Sequence, residues 1–217
     1  MMISVQTKSS KNNYFFSLER GVNVDISNKC PLECYACDRQ KGYRNNGLKV
    51  PGADMTLEQF QKILKQFDKF LFAGNLSDPI SNPLLIDFLR LAYEHNKRQV
   101  KVVTAASHRT LEWYQKAFDA NPKAQWTFGL DGLPEESCLH RINQDGQKIF
   151  EAIKLAVKNK IHTTWQYIIF SYNENHIEDA KEMAKEIGCR LELVYSPRFG
   201  ENDPYRPKND EIRSKLP

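Results

Sequence analysis

Short apolar runs alternate along this chain with segments whose apolar residues recur every three or four positions. Val22 to Ile26, Phe70 to Ala73, Val100 to Thr104, Trp126 to Leu130, Thr164 to Phe170 and Leu191 to Tyr195 read as strands. Leu57 to Phe67, Pro83 to His95, Leu111 to Ala120, Lys148 to Lys158 and Ile177 to Ile187 read as helices. In the first helix, Leu57, Phe60, Ile63, Leu64 and Phe67 form one apolar stripe, and Thr56 with Gln59 matches a capping box. Gly188 follows Ile187 as a stop signal. Strand-then-helix alternation predicts parallel strands joined by right-handed crossovers, hence an α/β sheet or barrel.

No internal repeat, low-complexity stretch or linker interrupts this pattern, so residues 1–217 read as one domain with its core at about 22–195. The segment 196–217 carries four of the ten prolines and reads as a tail packed over the core, with a short helix near Asp210 to Lys215. A hydrophobic fraction of 41% and a charged fraction of 27% are those of a globular protein and exclude wholesale disorder. No apolar run approaches the roughly 18 residues of a membrane span. The polar start, Met1 to Asn13, shows no apolar signal core, so a cytoplasmic location is expected. A formal charge of +4, from 31 basic and 27 acidic residues without a basic run, leaves no clear nucleic-acid footprint.

Cysteine placement changes the picture. Three of five cysteines, Cys30, Cys34 and Cys37, crowd one loop after the first strand, whereas Cys138 and Cys189 stand alone as packed or surface thiols. Odd number and tight clustering argue against a disulfide scaffold and for a metal in a reducing compartment. A structural zinc site closes with four ligands, yet the nearest histidine is His95 and the next cysteine is Cys138. Three thiolates suit an iron–sulfur cube with one iron left open, which ranks above zinc and above three unconnected thiols. The rim at the C-terminal ends of parallel strands is also where ligands sit in such folds. His95, His108, His140, His162 and His176 form no ligand pair in the sequence, and each reads as a surface or capping residue.

Cys30-x3-Cys34-x2-Cys37 after a first strand resembles the radical S-adenosylmethionine (radical SAM) superfamily. The resemblance covers roughly Val22 to Tyr195. It implies a partial (β/α)6 barrel of TIM type and a [4Fe-4S] cluster held by the three cysteines. It further implies S-adenosylmethionine (SAM) on the open iron, cleaved reductively to a 5′-deoxyadenosyl radical that abstracts hydrogen from a substrate. An electron donor such as flavodoxin or ferredoxin is implied with it. The family's aromatic before the third cysteine is Ala36 here, with Tyr35 one residue earlier.

Further matches follow at the other strand ends. Gly74, Asn75, Ser77 and Asp78 lie where the family binds the SAM amine; Asp78-Pro79 aligns with its Glu-Pro, and Leu76-Ser77 replaces its double glycine. Ser107 falls in the ribose-binding position or caps a helix. Gly129-Leu130-Asp131-Gly132, followed by Arg141-Ile142, is similar to a Ser-Ile-Asp-Gly…Arg-Ile pattern whose Ser and Arg bind the SAM carboxylate. A guanidinium is apt for that role because it clamps a carboxylate through two parallel hydrogen bonds. Asn173 and Val194 match residues near the cofactor. Arg39, Arg44, Tyr195 and Arg198 are the candidates to touch a substrate, which is not written in the sequence but is expected to be a peptide, a protein or another sizeable anionic molecule. No catalytic residue is assigned. The rival expectation is a non-catalytic iron–sulfur or zinc-binding module. The loop Gln40 to Asp54 and the tail after Ser196 are expected to close over the barrel mouth.

Overall fold

The structure, a computed structural model, describes residues 3–4, 20–200 and 202–216. The reading of the polar start therefore lies almost wholly outside the described residues. One sheet runs through the molecule in chain order: β1 (Ile3–Ser4), β2 (Gly21–Val24), β3 (Lys69–Ala73), β4 (Gln99–Thr104), β5 (Gln125–Gly129), β6 (Thr163–Ile168) and β7 (Arg190–Val194). β2 to β7 are all parallel, and β1 adds an antiparallel pair on the outer edge of β2. Helices α2 (Leu57–Leu64), α3 (Leu85–Glu94), α4 (Leu111–Ala120), α5 (Gly146–Lys158) and α6 (Ile177–Ile187) fill the crossovers. Two further helices, α1 (Asp38–Asn46) and α7 (Asp210–Arg213), lie outside that alternation. The sheet is open, a partial barrel. No helix among the described residues is long and apolar enough to cross a membrane.

Strand alternation builds two different surfaces. Val22, Val24, Phe70, Phe72, Val100, Val102, Trp126, Phe128, Trp165 and Tyr167 are buried against the helices. There Phe60 of α2 stacks on Phe88 of α3 at 4.5 Å, and Phe118 of α4 meets the edge of Trp126 at 5.3 Å. On the concave face, Gln99 donates to Gln125 across β4 and β5. The register there aligns Lys101 with Gln125, Gly129 with Gln166, and Gln166 with Glu192. A two-residue period puts Val103, Gly129, Ile168 and Val194 on that same face at its C-terminal rim, the layer that becomes a cavity floor.

The ends of elements follow local chemistry. Thr56 and Gln59 exchange both capping-box hydrogen bonds, and Gly188 takes the left-handed conformation (φ 73°) that ends α6. The run Thr164 to Phe170 leaves the ladder at Ile168, because Asn173 Oδ1 accepts from the Phe170 amide and bends the chain. α1 falls in a stretch expected to be loop; its sequence DRQKGYRNN buries no residue and so carries no apolar period.

Gly146, at the start of α5, packs so closely that a Cβ there would stand 1.9 Å from the Pro134 carbonyl oxygen. Gly146→Ala is expected to destabilise the fold by about 1–3 kcal/mol through overpacking, read by urea unfolding. An unchanged midpoint would contradict this packing.

Candidate functional site

The loop after β2 is pinned from several sides. Ser27 donates to Asp54 at 2.7 Å, and Lys29 pairs with the same carboxylate at 2.7 Å. Arg39 of α1 donates to the carbonyls of Asn28 (2.7 Å) and Leu76 (3.1 Å), tying this loop to the one after β3. The Glu33 and Tyr35 amides donate to the Ile142 and His140 carbonyls. So held, Cys30, Cys34 and Cys37 all line one cavity of about 450 Å³ at the strand rim.

Hydrogen bonding separates the cysteines into two kinds. Cys138 donates to the Glu135 carbonyl and Cys189 to the Thr163 carbonyl, so backbone acceptors account for both. The other three line the cavity instead, where Cys30 accepts from the Leu32 amide. Burial first, then the Asp78 carboxylate, pushes the Cys30 thiol up to about 12. Burial also raises Cys34, against the pull of the Arg141 guanidinium. A cationic metal centre reverses that balance by replacing the protons. Among the described residues no three Cys, His, Asp or Glu side chains converge on a point that could hold a single ion. Three thiols lining one cavity are a donor set whose chemistry fits an iron–sulfur cluster. Cys37 also caps α1, whose first amides favour negative charge nearby.

The facing wall is the loop after β3. Gly74 is required there, since a Cβ would lie 2.2 Å from the Ser77 carbonyl oxygen. Asp25, just past β2, accepts from the Asn75 amide (3.2 Å) and the Ser77 hydroxyl (3.0 Å). Burial lifts its pKa, and those two bonds restrain the rise. Asp78 accepts from Ile80, Thr104, Ala105 and Ala106, stitching this loop to the end of β4.

The third wall centres on Arg141. Its Nε lies 2.7 Å from the carboxylate of Asp131, which is wholly buried and also accepts from the Ile168 amide. Burial works against the Arg141 charge, but Asp131 overrides it and holds the pKa above its ordinary value. Gly129 makes room for this guanidinium: a Cβ there would sit 2.8 Å from an Arg141 Nη. Arg141 is thus a fixed cation on the cavity wall, while Asp131 stands behind it rather than in the lining.

Other anticipated residues separate cleanly. Ala36, Gly74, Asn75, Ser77, Asp78, Arg141, Val194 and Arg198 line the cavity with the three cysteines. Ser107 accepts from the Asp145 amide (2.8 Å), and Asn173 bonds the Ile168 carbonyl and Phe170 amide of its own turn. Neither lines the cavity. Tyr195 packs against the core. Tyr35 packs its ring, tilted, against Tyr205 of the tail at 4.8 Å and faces a second hollow of about 310 Å³, which it shares with Lys41, Arg44, Arg198 and Asp203. Arg44 donates to the Tyr35 carbonyl. Sequence reasoning missed Asp25, whose partners are 50 and 52 residues away. It also set His140 at the surface or a cap; the residue does end the short turn Ser137–Leu139, but it is buried, 6% exposed, and lines the cavity. The apolar neighbours Leu139 and Phe170 give no period that would reveal it.

The tail completes the mouth. Ser196, Pro197, Arg198 and Phe199 line the cavity. Beyond them, Tyr205 bonds the Leu139 carbonyl, its own carbonyl accepts from the Ser171 amide, and Lys208 and Asn209 donate to Glu174.

Comparison with known proteins agrees with this geometry. The family model described as the radical SAM superfamily matches residues 24–187. No curated protein sequence matches the chain. Among solved structures, native anSMEcpe with bound AdoMet superposes with a TM-score of 0.64 at 18% identity, covering 84% of this chain and 54% of that one. SuiB from Streptococcus suis bound to S-adenosylmethionine gives 0.68 at 13% identity, covering 90% and 46%. Methylornithine synthase gives 0.59 at 14% identity, covering 88% and 58%. The chain therefore spans about half the length of these structures, and the likeness is one of fold. With the family match extending from the last residue of β2 to the end of α6, the chain belongs to the radical SAM superfamily.

Proposed function

We propose that the chain is a radical SAM enzyme: Cys30, Cys34 and Cys37 hold a [4Fe-4S] cluster, SAM fills the rest of the cavity, and a sizeable substrate sits at the mouth. The observation that carries this reading is the set of three cysteines lining one cavity at the strand rim, with the Arg141 cation on the same lining beside Cys34. When bound and reduced by a donor such as flavodoxin or ferredoxin, the cluster and SAM supply a 5′-deoxyadenosyl radical that abstracts hydrogen from an unactivated C–H bond. The chain's own part is to bind, orient and shield.

Arg141, fixed by Asp131, offers its outer N–H groups to the methionyl carboxylate. The Gly74–Ser77 backbone, held by Asp25, faces the SAM amine. Val194 and Ile168 give the adenine an apolar floor. Tail residues 196–200 and the Tyr205 ring stack exclude water, which a carbon radical needs. The hollow bearing Lys41, Arg44 and Arg198 adjoins the cavity through Ala36 and Arg198, which suits an anionic part of the substrate.

Anaerobic reconstitution with iron and sulfide, followed by SAM and dithionite, tests the reading. It predicts 5′-deoxyadenosine from the wild type and only background from Cys34→Ala. Stoichiometric zinc with no SAM cleavage would favour a non-catalytic module instead. Gly129→Val is expected to displace the Arg141 guanidinium and weaken SAM binding about tenfold, equivalent to about 1.4 kcal/mol; equal affinity by calorimetry would count against the carboxylate clamp. In hydrogen exchange, SAM is expected to slow the amides of residues 196–200, and an unchanged rate there would count against the closing tail.

A further inference from the structure

The second hollow gathers positive charge that the fold does not neutralise. Lys41 and Arg44 stand three residues apart in α1, so their side chains rise from one face of that helix. Arg198 joins them from the tail, and all three line the same hollow of about 310 Å³. Each is exposed, so its charge is open to a ligand arriving from solvent. Among the described residues none of the three forms an ion pair. By contrast, Lys62, Lys116, Lys154 and Lys181 on other helices each take a carboxylate three or four residues away. Asp203 is the one acid in the lining, and it accepts from the Tyr205 amide at 2.9 Å. Three cations against one carboxylate leave the hollow with a surplus of positive charge that like-charged neighbours on α1 make costly to keep unanswered.

We infer that this hollow binds a phosphomonoester group, the anionic handle of the substrate. The inference rests on the functional reading above and names the chemistry of the part of the substrate that lies outside the main cavity. A phosphomonoester carries about −1.5 to −2 charges at pH 7 and three strong acceptor oxygens, which matches the surplus. A carboxylate or a sulfate ester carries a single charge and leaves part of it uncompensated. The side chains suit the same group, since Arg meets phosphate through paired N–H groups and Lys meets it as a point charge. Ala36 and Arg198 line both the hollow and the cysteine-bearing cavity. A molecule held here by its phosphate therefore extends past them into the cavity, where its reacting carbon belongs.

Calorimetric titration of the cluster-loaded protein with SAM present compares phenyl phosphate with phenyl sulfate, an ester of similar shape and lower charge. Phenyl phosphate is expected to bind saturably and about tenfold more tightly. Lys41→Gln and Arg198→Gln are each expected to weaken phosphate binding about fivefold and to narrow its lead over sulfate. Lys185→Gln, which removes an exposed lysine of α6 outside the hollow, is expected to leave both affinities unchanged. A short phosphoserine peptide that binds more tightly than phenyl phosphate assigns the handle to a peptide substrate, and weaker binding assigns it to a small molecule. Equal affinity for the two esters, no saturable binding, or an equal loss in Lys185→Gln would overturn the inference. If SAM were never cleaved, the functional reading would fail while the titration still reported on the hollow; a SAM-cleaving protein without the preference for phosphate would sink this inference alone.

Discussion

Parallel strands that stop at an open rim leave backbone amides and carbonyls without sheet partners, and a ligand cavity prevents helices from covering them. Side chains rooted just past the strands answer this constraint. Asp25 takes amide and hydroxyl donors from the loop after β3, and Asp78 in that loop takes the amides of Ala105 and Ala106 after β4. Gln144 donates to the carbonyls of Ala105 and Gly129, bridging β4 and β5. Asp131 then accepts from the Ile168 amide at the end of β6. Each bond fixes one loop relative to the next, and those to Ala105, Ala106 and Gly129 also satisfy buried backbone groups. The cavity keeps its shape because its rim is sewn together, strand by strand, around a gap.

That sewing also sets the electrostatics. Asp131 spends one oxygen on the backbone and turns the other towards Arg141 Nε, which fixes the guanidinium in a poorly solvated wall. Around the same cavity stand Cys37 and the pair Cys30 and Cys34, whose burial favours their protonated form until a metal centre displaces the protons. Cation, thiols and the uncharged His140 ring thus divide one cavity into regions of different chemistry. The tail adds Arg198 and Phe199 at the mouth and anchors itself through Tyr205, in a chain about half as long as its structural neighbours.

Much of this was legible from pattern. All six parallel strands and the five crossover helices follow from apolar spacing, and Leu111–Ala120 and Ile177–Ile187 match to the residue. The cysteine spacing and its place after β2 point to the site. What stayed hidden depends on contacts that sequence does not encode locally. β1 is a two-residue edge pair, too short to have a period. α1 presents no apolar face, and its stability comes from the left-handed Gly47 cap and from Arg39 gripping two loops. Asp25 looks like one more strand-end carboxylate until Asn75 and Ser77 arrive beside it. Asn173 and Ser107 show the converse: residue types suited to a ligand bond a turn in one case and the Asp145 amide of another loop in the other. His140 is hidden among residues of unremarkable pattern because its burial comes from Phe170 and Tyr205, both distant in sequence.

The central claim is that three thiolates leave one corner of a cluster free for SAM. Electron paramagnetic resonance of the anaerobically reconstituted, dithionite-reduced protein reads that corner directly, since a ligand on the open iron alters the signal. The account predicts a reduced iron–sulfur spectrum that shifts on adding SAM and is absent from Cys34→Ala. A spectrum indifferent to SAM, or one that survives loss of Cys34, would contradict it.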